Sequence, residues 1–145
     1  MRAVVQRVTS AAVHVDNTLV SQISKGYLVL LGVSATDTRE QAQALANKLV
    51  KLRLFADDEG KTNLSAADVS AEVLIVSQFT LYANTSKGNR PSFTEAAPHA
   101  LAQELYEYFT ECCRPKFTKT SQGVFAADMQ VSLTNDGPFT IILES

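Results

Sequence analysis

Tyr27-Leu28-Val29-Leu30-Leu31-Gly32-Val33 is an unbroken apolar run, and such a run reads as a strand buried on both faces. Everything before it is also strand-like. Val4, Val5 and Val8 lie between Arg2 and Thr9, Val13 and Val15 follow, and Asp16-Asn17 reads as a turn before Leu19 to Ile23. Beyond the run the period changes. Thr38 and Gln41 form a capping box, with Glu40 near the positive end of the helix dipole. Ala42, Leu45, Leu49 and Leu52 then draw one helical stripe, ending among Lys48 and Lys51. Leu52 to Phe55 begins to look like strand again, and Asp57-Asp58-Glu59-Gly60 is a turn.

Val73 to Val76 is a second core strand, and it turns polar at Ser77-Gln78-Phe79-Thr80. Ala83 to Phe93 reads as a loop. A second helix is expected from about Glu95 to Cys113, with Pro98 in its first turn and Leu101, Leu105, Tyr108 or Phe109, and Cys112 buried. The tail returns to strands at Gly123–Ala126, Met129–Leu133 and Phe139–Leu143. Two helices against many strands, without regular alternation, predict an α+β fold: a mainly antiparallel sheet curled into a barrel-like core, as one domain over residues 1–145.

The composition narrows the function classes. With 145 residues, the chain should bury roughly 68–70% of its unfolded surface. The hydrophobic fraction of 46% and the charged fraction of 19% are those of a globular protein, not a disordered one. Thirteen Lys and Arg against fifteen Asp and Glu leave a net charge of −2. That balance disfavours a protein that grips long duplexes, DNA included, through counterion release, but allows one that holds a short nucleic-acid end. No apolar run approaches the ~18 residues of a membrane span, and no signal peptide is expected ahead of the first strand. The adjacent Cys112 and Cys113 write neither a disulfide framework nor a zinc site. A reducing, cytoplasmic setting fits, with no metal and no cofactor.

Catalytic equipment is sparse. His14 sits in an alternating strand and His99 in a helix near Pro98; both read more simply as structural residues than as general bases. No nucleophile elbow, Walker loop, metalloprotease helix or dinucleotide fingerprint occurs. Two segments stand apart from plain scaffold. In an extended Ser77-Gln78-Phe79-Thr80, Gln78 and Thr80 share one face, and a strand that ends in polar groups either bonds its own backbone or leads to a pocket rim. Asn135-Asp136-Gly137-Pro138 has the chemistry of a turn, while Gly137 would let main chain approach a ligand closely.

Taken together, Ser77-Gln78-Phe79-Thr80-Leu81 and Asn135-Asp136-Gly137-Pro138-Phe139-Thr140 resemble the paired signature of the D-aminoacyl-tRNA deacylases. Gln6-Arg7-Val8, Arg90-Pro91-Ser92-Phe93 and Phe125-Ala126-Ala127-Asp128-Met129 resemble that family in order and spacing too. The resemblance implies a homodimeric esterase that removes D-amino acids, and glycine, from mischarged tRNA. It implies a cis Gly137-Pro138 peptide reaching into the partner's site as a chirality screen, with Arg7 holding it. Ser77, Gln78, Phe79 and Thr80 would be the catalytic segment lining the site for the aminoacyl-tRNA 3′ end, with Thr80 either a nucleophile or a positioning group beside the tRNA's own 2′-hydroxyl, and Met129 would lie nearby. Two other readings account for the same residues: a non-catalytic RNA-end or nucleotide-binding dimer, and a dimerising structural protein. Among the cations, Lys87, Arg90, Arg114, Lys116 and Lys119 are candidates for phosphate contact, although solvation alone explains most of them.

Overall fold

The computed structural model describes residues Met1–Ser145 throughout. Its organising element is β1 (Arg2–Val15), a strand of 14 residues that serves three partners. On one edge it pairs antiparallel first with β3 (Gly26–Gly32) and then with β2 (Thr18–Ile23). On the other it pairs antiparallel with β8 (Gln130–Glu144). The β1–β2 hairpin turns through Asp16 and Asn17, both at positive φ (48° and 61°), as a two-residue turn twisted to match the strands requires.

The sheet then continues in parallel. β3 pairs with β6 (Glu72–Ser77), and β6 with β7 (Lys119–Gln122), giving the order β2-β1-β3-β6-β7. The sheet is therefore mixed: its three pairings through β1 are antiparallel, as expected, and the two through β6 are parallel. The reason lies in the connections. α1 (Arg39–Lys51) falls between β3 and β6, and α2 (His99–Cys113) between β6 and β7, and a crossover of that length delivers parallel strands. β4 (Arg53–Ala56) and β5 (Thr62–Ser65) form a separate hairpin around the Asp57–Gly60 turn.

The curl brings β2 against β6 and β7, so the barrel nearly closes. Lys119 Nζ donates to the Gln22 carbonyl at 2.8 Å, and the Ser24 N–H to Glu72 Oε2 at 2.9 Å. Inside lie Val8, Ala11, Val13, Ile23, Leu28, Leu74 and Val76. The larger core fills the space between the sheet's other face and the two helices, with Val5, Tyr27, Val29, Leu45, Leu49, Ile75, Leu105, Tyr106 and Phe109. The residues of the opening run from Tyr27 to Val33 are buried except Leu30, as a two-sided strand demands.

Both helices follow their signals, with shifted ends. Gln41 Oε1 accepts the Thr38 N–H at 2.8 Å, completing the expected box. α2 begins at His99, not Glu95, and Pro98 caps it from outside. The Ala97 N–H is engaged by the Val33 carbonyl at 2.9 Å, and a residue before proline disfavours helical geometry. Phe109 is buried, whereas Tyr108 is half-buried. No helix is long and apolar enough to cross a membrane.

Two strand expectations fail instructively. Gly123–Ala126 is not a strand; the ladder belongs to Lys119–Gln122. Phe125 packs on Tyr106 and His99, and Ala126 at φ 60° turns the chain, so its apolar character serves contacts outside the sheet. Met129–Leu133 and Phe139–Leu143 are not two strands joined by a turn. From Gln130 onward they are halves of β8, because β1 pairs with both along one edge, with register shifts between them.

Candidate active site

A cavity of about 660 Å³ opens where β6 ends. One wall is Ser77, Gln78 and Phe79, and the floor is Leu31, Val33, Val76, Tyr106, Met129 and Val131. Phe93, His99 and the Phe125–Asp128 segment complete it. The wall is fixed by main chain. Gln78 N–H donates to the Leu31 carbonyl at 2.8 Å, extending the parallel ladder by one rung. The chain then winds into a 3-10 helix at Phe79–Tyr82. Gly32 makes that possible: a Cβ there would lie 3.1 Å from Leu81 Cβ and 3.2 Å from the Gln78 carbonyl oxygen.

The aromatic rings at the rim support one another. Phe79, 58% exposed, meets Phe93 edge-on at 5.0 Å, and His99 meets Phe125 likewise at 5.0 Å. Beneath them the Tyr106 hydroxyl donates to the Ile75 carbonyl at 2.9 Å. Burial pushes its phenol well above the ordinary range, with the bond at Gly123 pulling the other way. Tyr106 is thus a neutral structural donor.

Thr80 is exposed, and it is not part of the cavity lining. Its hydroxyl is paired with the side-chain amide of Gln78. Neither end of a carboxamide is a base, so this pairing orients the hydroxyl without activating it. The Phe79 and Thr80 N–H groups open the 3-10 helix, where no intrahelical acceptor exists for them. They lie beside Ser77 and Gln78 at the cavity's edge.

Gly137 and Pro138 are elsewhere. Pairing of β1 with β8 passes from Gln6–Thr140 to Val8–Asn135: two steps on β1 against five on β8, so three residues are extruded as a bulge. Its tip is exposed, the Gly137-Pro138 peptide is cis, and neither residue lines the cavity of its own chain. Arg7, buried beneath, holds it. Arg7 Nε lies 3.1 Å from the Asp136 carbonyl oxygen and 2.9 Å from Asp136 Oδ2. Its guanidinium stacks 4.1 Å from the centre of the Phe139 ring, and a further donation goes to the Leu54 carbonyl on β4. Tyr27 shares this base; burial raises its phenol, partly offset by the Arg7 charge.

The signature residues therefore divide into two groups. Ser77, Gln78, Phe79 and Met129 share a cavity, with Thr80 just outside. Arg7, Gly137 and Pro138 form a separate projection. Phe93, His99, Tyr106 and Asp128 are lining residues that patterning did not single out as a site. Phe93 and Asp128 fall in stretches quoted above for their resemblance, and the proline boundary marks His99. His14 pairs with Gln130, and neither lines the cavity. Of the five cations, Arg114 pairs with Glu111 at 2.6 Å, Lys116 caps the Cys112 carbonyl, and Lys119 binds Gln22. Lys87 and Arg90 are exposed on the loop leading to Phe93.

The chain is similar to known proteins over its whole length. Residues 4–144 match the family model described as D-Tyr-tRNA(Tyr) deacylase. A protein of Thermosipho africanus named D-aminoacyl-tRNA deacylase is 51% identical over 145 residues, 100% of this chain and 97% of that one. A solved structure of a protein named c-Myc DNA Unwinding Element Binding Protein superposes with a TM-score of 0.94 at 44% identity, covering 100% and 99% of the two chains. Another, described as a probable eukaryotic D-amino acid tRNA deacylase, shares the fold with a TM-score of 0.82 at 18% identity, over 98% and 97%.

Proposed function

The chain belongs to the D-Tyr-tRNA(Tyr) deacylase family, and from that premise we propose that its cavity receives the terminal aminoacyl-adenosine of a tRNA while a second copy supplies the chirality screen. The chain is a D-aminoacyl-tRNA deacylase, a hydrolase of the ester bond between amino acid and tRNA. One observation carries the finer reading: the signature is split between a cavity and a rigidly held bulge that does not reach it. A homodimer in which each bulge enters the other's cavity reunites the halves. Phe79 and Ile142, the most exposed large apolar side chains at 58% and 64%, then gain cover.

The chemistry follows from what the wall offers. A general base contributes around 10²–10⁴-fold, and nothing bonded to Thr80 can act as one. The substrate carries its own help: an aminoacyl ester is activated, and the neighbouring ribose hydroxyl needs no encounter. Phe79 and Thr80 N–H groups would receive the developing oxyanion, a role worth about 2.7–4 kcal/mol per donor elsewhere. Phe79 and the Ser77–Gln78 edge would seat adenosine by stacking and a few hydrogen bonds, consistent with a net charge of −2.

Selectivity would come from exclusion. A thousand-fold preference requires about 4 kcal/mol. Main chain at Gly137 and Pro138 that blocks an L side chain gives that without reading which D side chain is present. Glycine, with no side chain, passes. The work belongs in the cytoplasm, with no metal, cofactor, membrane or duplex DNA involved.

Substrate ending in 2′-deoxyadenosine tests the mechanism: turnover of the D-aminoacyl ester should be abolished, and undiminished hydrolysis would overturn substrate assistance. The name of the 44%-identical structure favours a second reading, a nucleic-acid-binding module without catalysis. Incubation with D-aminoacyl-tRNA separates the two. Free amino acid supports the enzyme, and bound but intact substrate supports the module.

A further inference from the structure

The bulge must keep its shape without a ladder. Over Asp136–Phe139 the pairing with β1 is interrupted, so its form depends on side chains that reach across. Arg7 is one. Asn135 is the other, and it holds the ends rather than the tip.

Asn135 stands at the last paired position before the gap, opposite Val8. Its Nδ2 donates to the Arg7 carbonyl on β1 at 2.9 Å and to the Phe139 carbonyl at 3.1 Å. One amide nitrogen thus ties the entry of the bulge to both its exit and the strand beneath. The other end of the same amide faces the tip: a Cβ on Gly137 would find Asn135 Oδ1 as its nearest neighbour, at 3.4 Å. No side chain other than asparagine does this in so short a reach. Aspartate has the shape but no N–H, and serine has one donor where two are used.

We propose that Asn135 is a positioning residue of the chirality screen: it closes the neck of the bulge and so fixes the direction in which Gly137 and Pro138 project. The proposal rests on the reading that these two residues exclude L substrates. Arg7 and Asn135 then form a two-sided clamp, Arg7 gripping the Asp136 carbonyl and carboxylate, Asn135 gripping the ends. Asn135→Asp replaces two donations by an anion facing two carbonyl oxygens, and Asn135→Ala leaves the neck open.

The test measures kcat/KM for D-, L- and glycyl-tRNA in Asn135→Asp, Asn135→Ala and Arg7→Ala, with a thermal melt of each. Asn135 is solvent-exposed, so its loss is expected to leave a cooperative melt, and the alanine variant stands in should the aspartate variant melt early. The ratio of D to L rates should fall at least tenfold in both Asn135 variants, by gain of L-aminoacyl hydrolysis. A loss of fold alone would lower all three substrates together and would not produce that gain. If the ratio holds in the Asn135 variants but collapses in Arg7→Ala, the role assigned to Asn135 is overturned while the screen stands. If it holds in all three, the screen itself is overturned, and Asn135 with it.

Discussion

The cavity wall at Ser77–Tyr82 and the bulge at Asn135–Phe139 are built in opposite ways. The wall is main chain packed on main chain. Val73–Val76 lead into it fully buried, Gln78 adds a rung to the parallel ladder, and a Cβ at Gly32 would crowd the 3-10 helix at 3.1–3.2 Å. The bulge has no ladder and an exposed tip, and its shape depends on the side chains of Arg7 and Asn135. Damage to the wall therefore propagates into the core and registers as lost stability. Damage to the bulge registers first as lost discrimination. That division suits an enzyme whose chemistry and whose selectivity have different sources.

The harshest way to strike the wall is Gly26→Ala. A Cβ at Gly26 would sit 1.8 Å from the Glu72 carbonyl oxygen and within 2.8 Å of two further backbone atoms. No side chain there can swing aside, so β3 and β6 must part at the first rung of their pairing. A loss of about 3 kcal/mol or more is expected, measured as a shift of the denaturant midpoint. A midpoint that does not move would mean that the wall does not lean on this parallel pair and is no more tied to the core than the bulge.

A milder strike falls under the cavity. Tyr106→Phe removes the hydroxyl that donates to the Ile75 carbonyl. That carbonyl keeps a second partner, the Gly123 N–H at 2.9 Å, so it is not orphaned. The expected cost is the ordinary net worth of one hydrogen bond, about 1 kcal/mol, or about 3 °C in Tm. The D-to-L ratio should not change. A relaxed ratio would show that scaffold and screen are coupled, contrary to the separation inferred here.

What the sequence disclosed follows the range of the forces involved. Tyr27–Val33 was legible because two-sided burial leaves no polar position, and α1 because its cap and stripe are local. The mainly antiparallel sheet was legible in the many strands without regular alternation, but the two parallel pairs were not read, although a helix separates β3 from β6 and another β6 from β7. The bulge was not legible. Asn135-Asp136-Gly137-Pro138 has every feature of a turn, and only the continuous edge of β1, over a hundred residues away in sequence, turns it into an extrusion. Within the site, Ser77-Gln78 was visible as polarity where core was due. The packing of Phe125 on His99 and Tyr106 joins residues that no local pattern links.

The core that supports the wall can also be probed by titration. Burial pushes the Cys113 thiol from its ordinary 9.0 up to about 12, the nearby Lys116 charge only partly opposing it. Burial likewise raises the phenols of Tyr27 and Tyr106. All three belong to the larger core between the sheet and the helices, Tyr106 under the cavity and Tyr27 beside Arg7. Folded chains thus keep a Cys113 proton that unfolded chains release above pH 9. The stabilising contribution is full below pH 9 and is lost progressively as pH climbs from 9 through about 12. Removing the thiol in Cys113→Ala should flatten the fall in stability across this window by at most about 1.4 kcal/mol per pH unit, one proton's share. The phenols would supply the slope that remains. Denaturation midpoints at pH 8 and pH 10.5 for both proteins would reveal it. Identical slopes would mean that the thiol is open to solvent, and that the scaffold under the cavity is looser than its packing indicates.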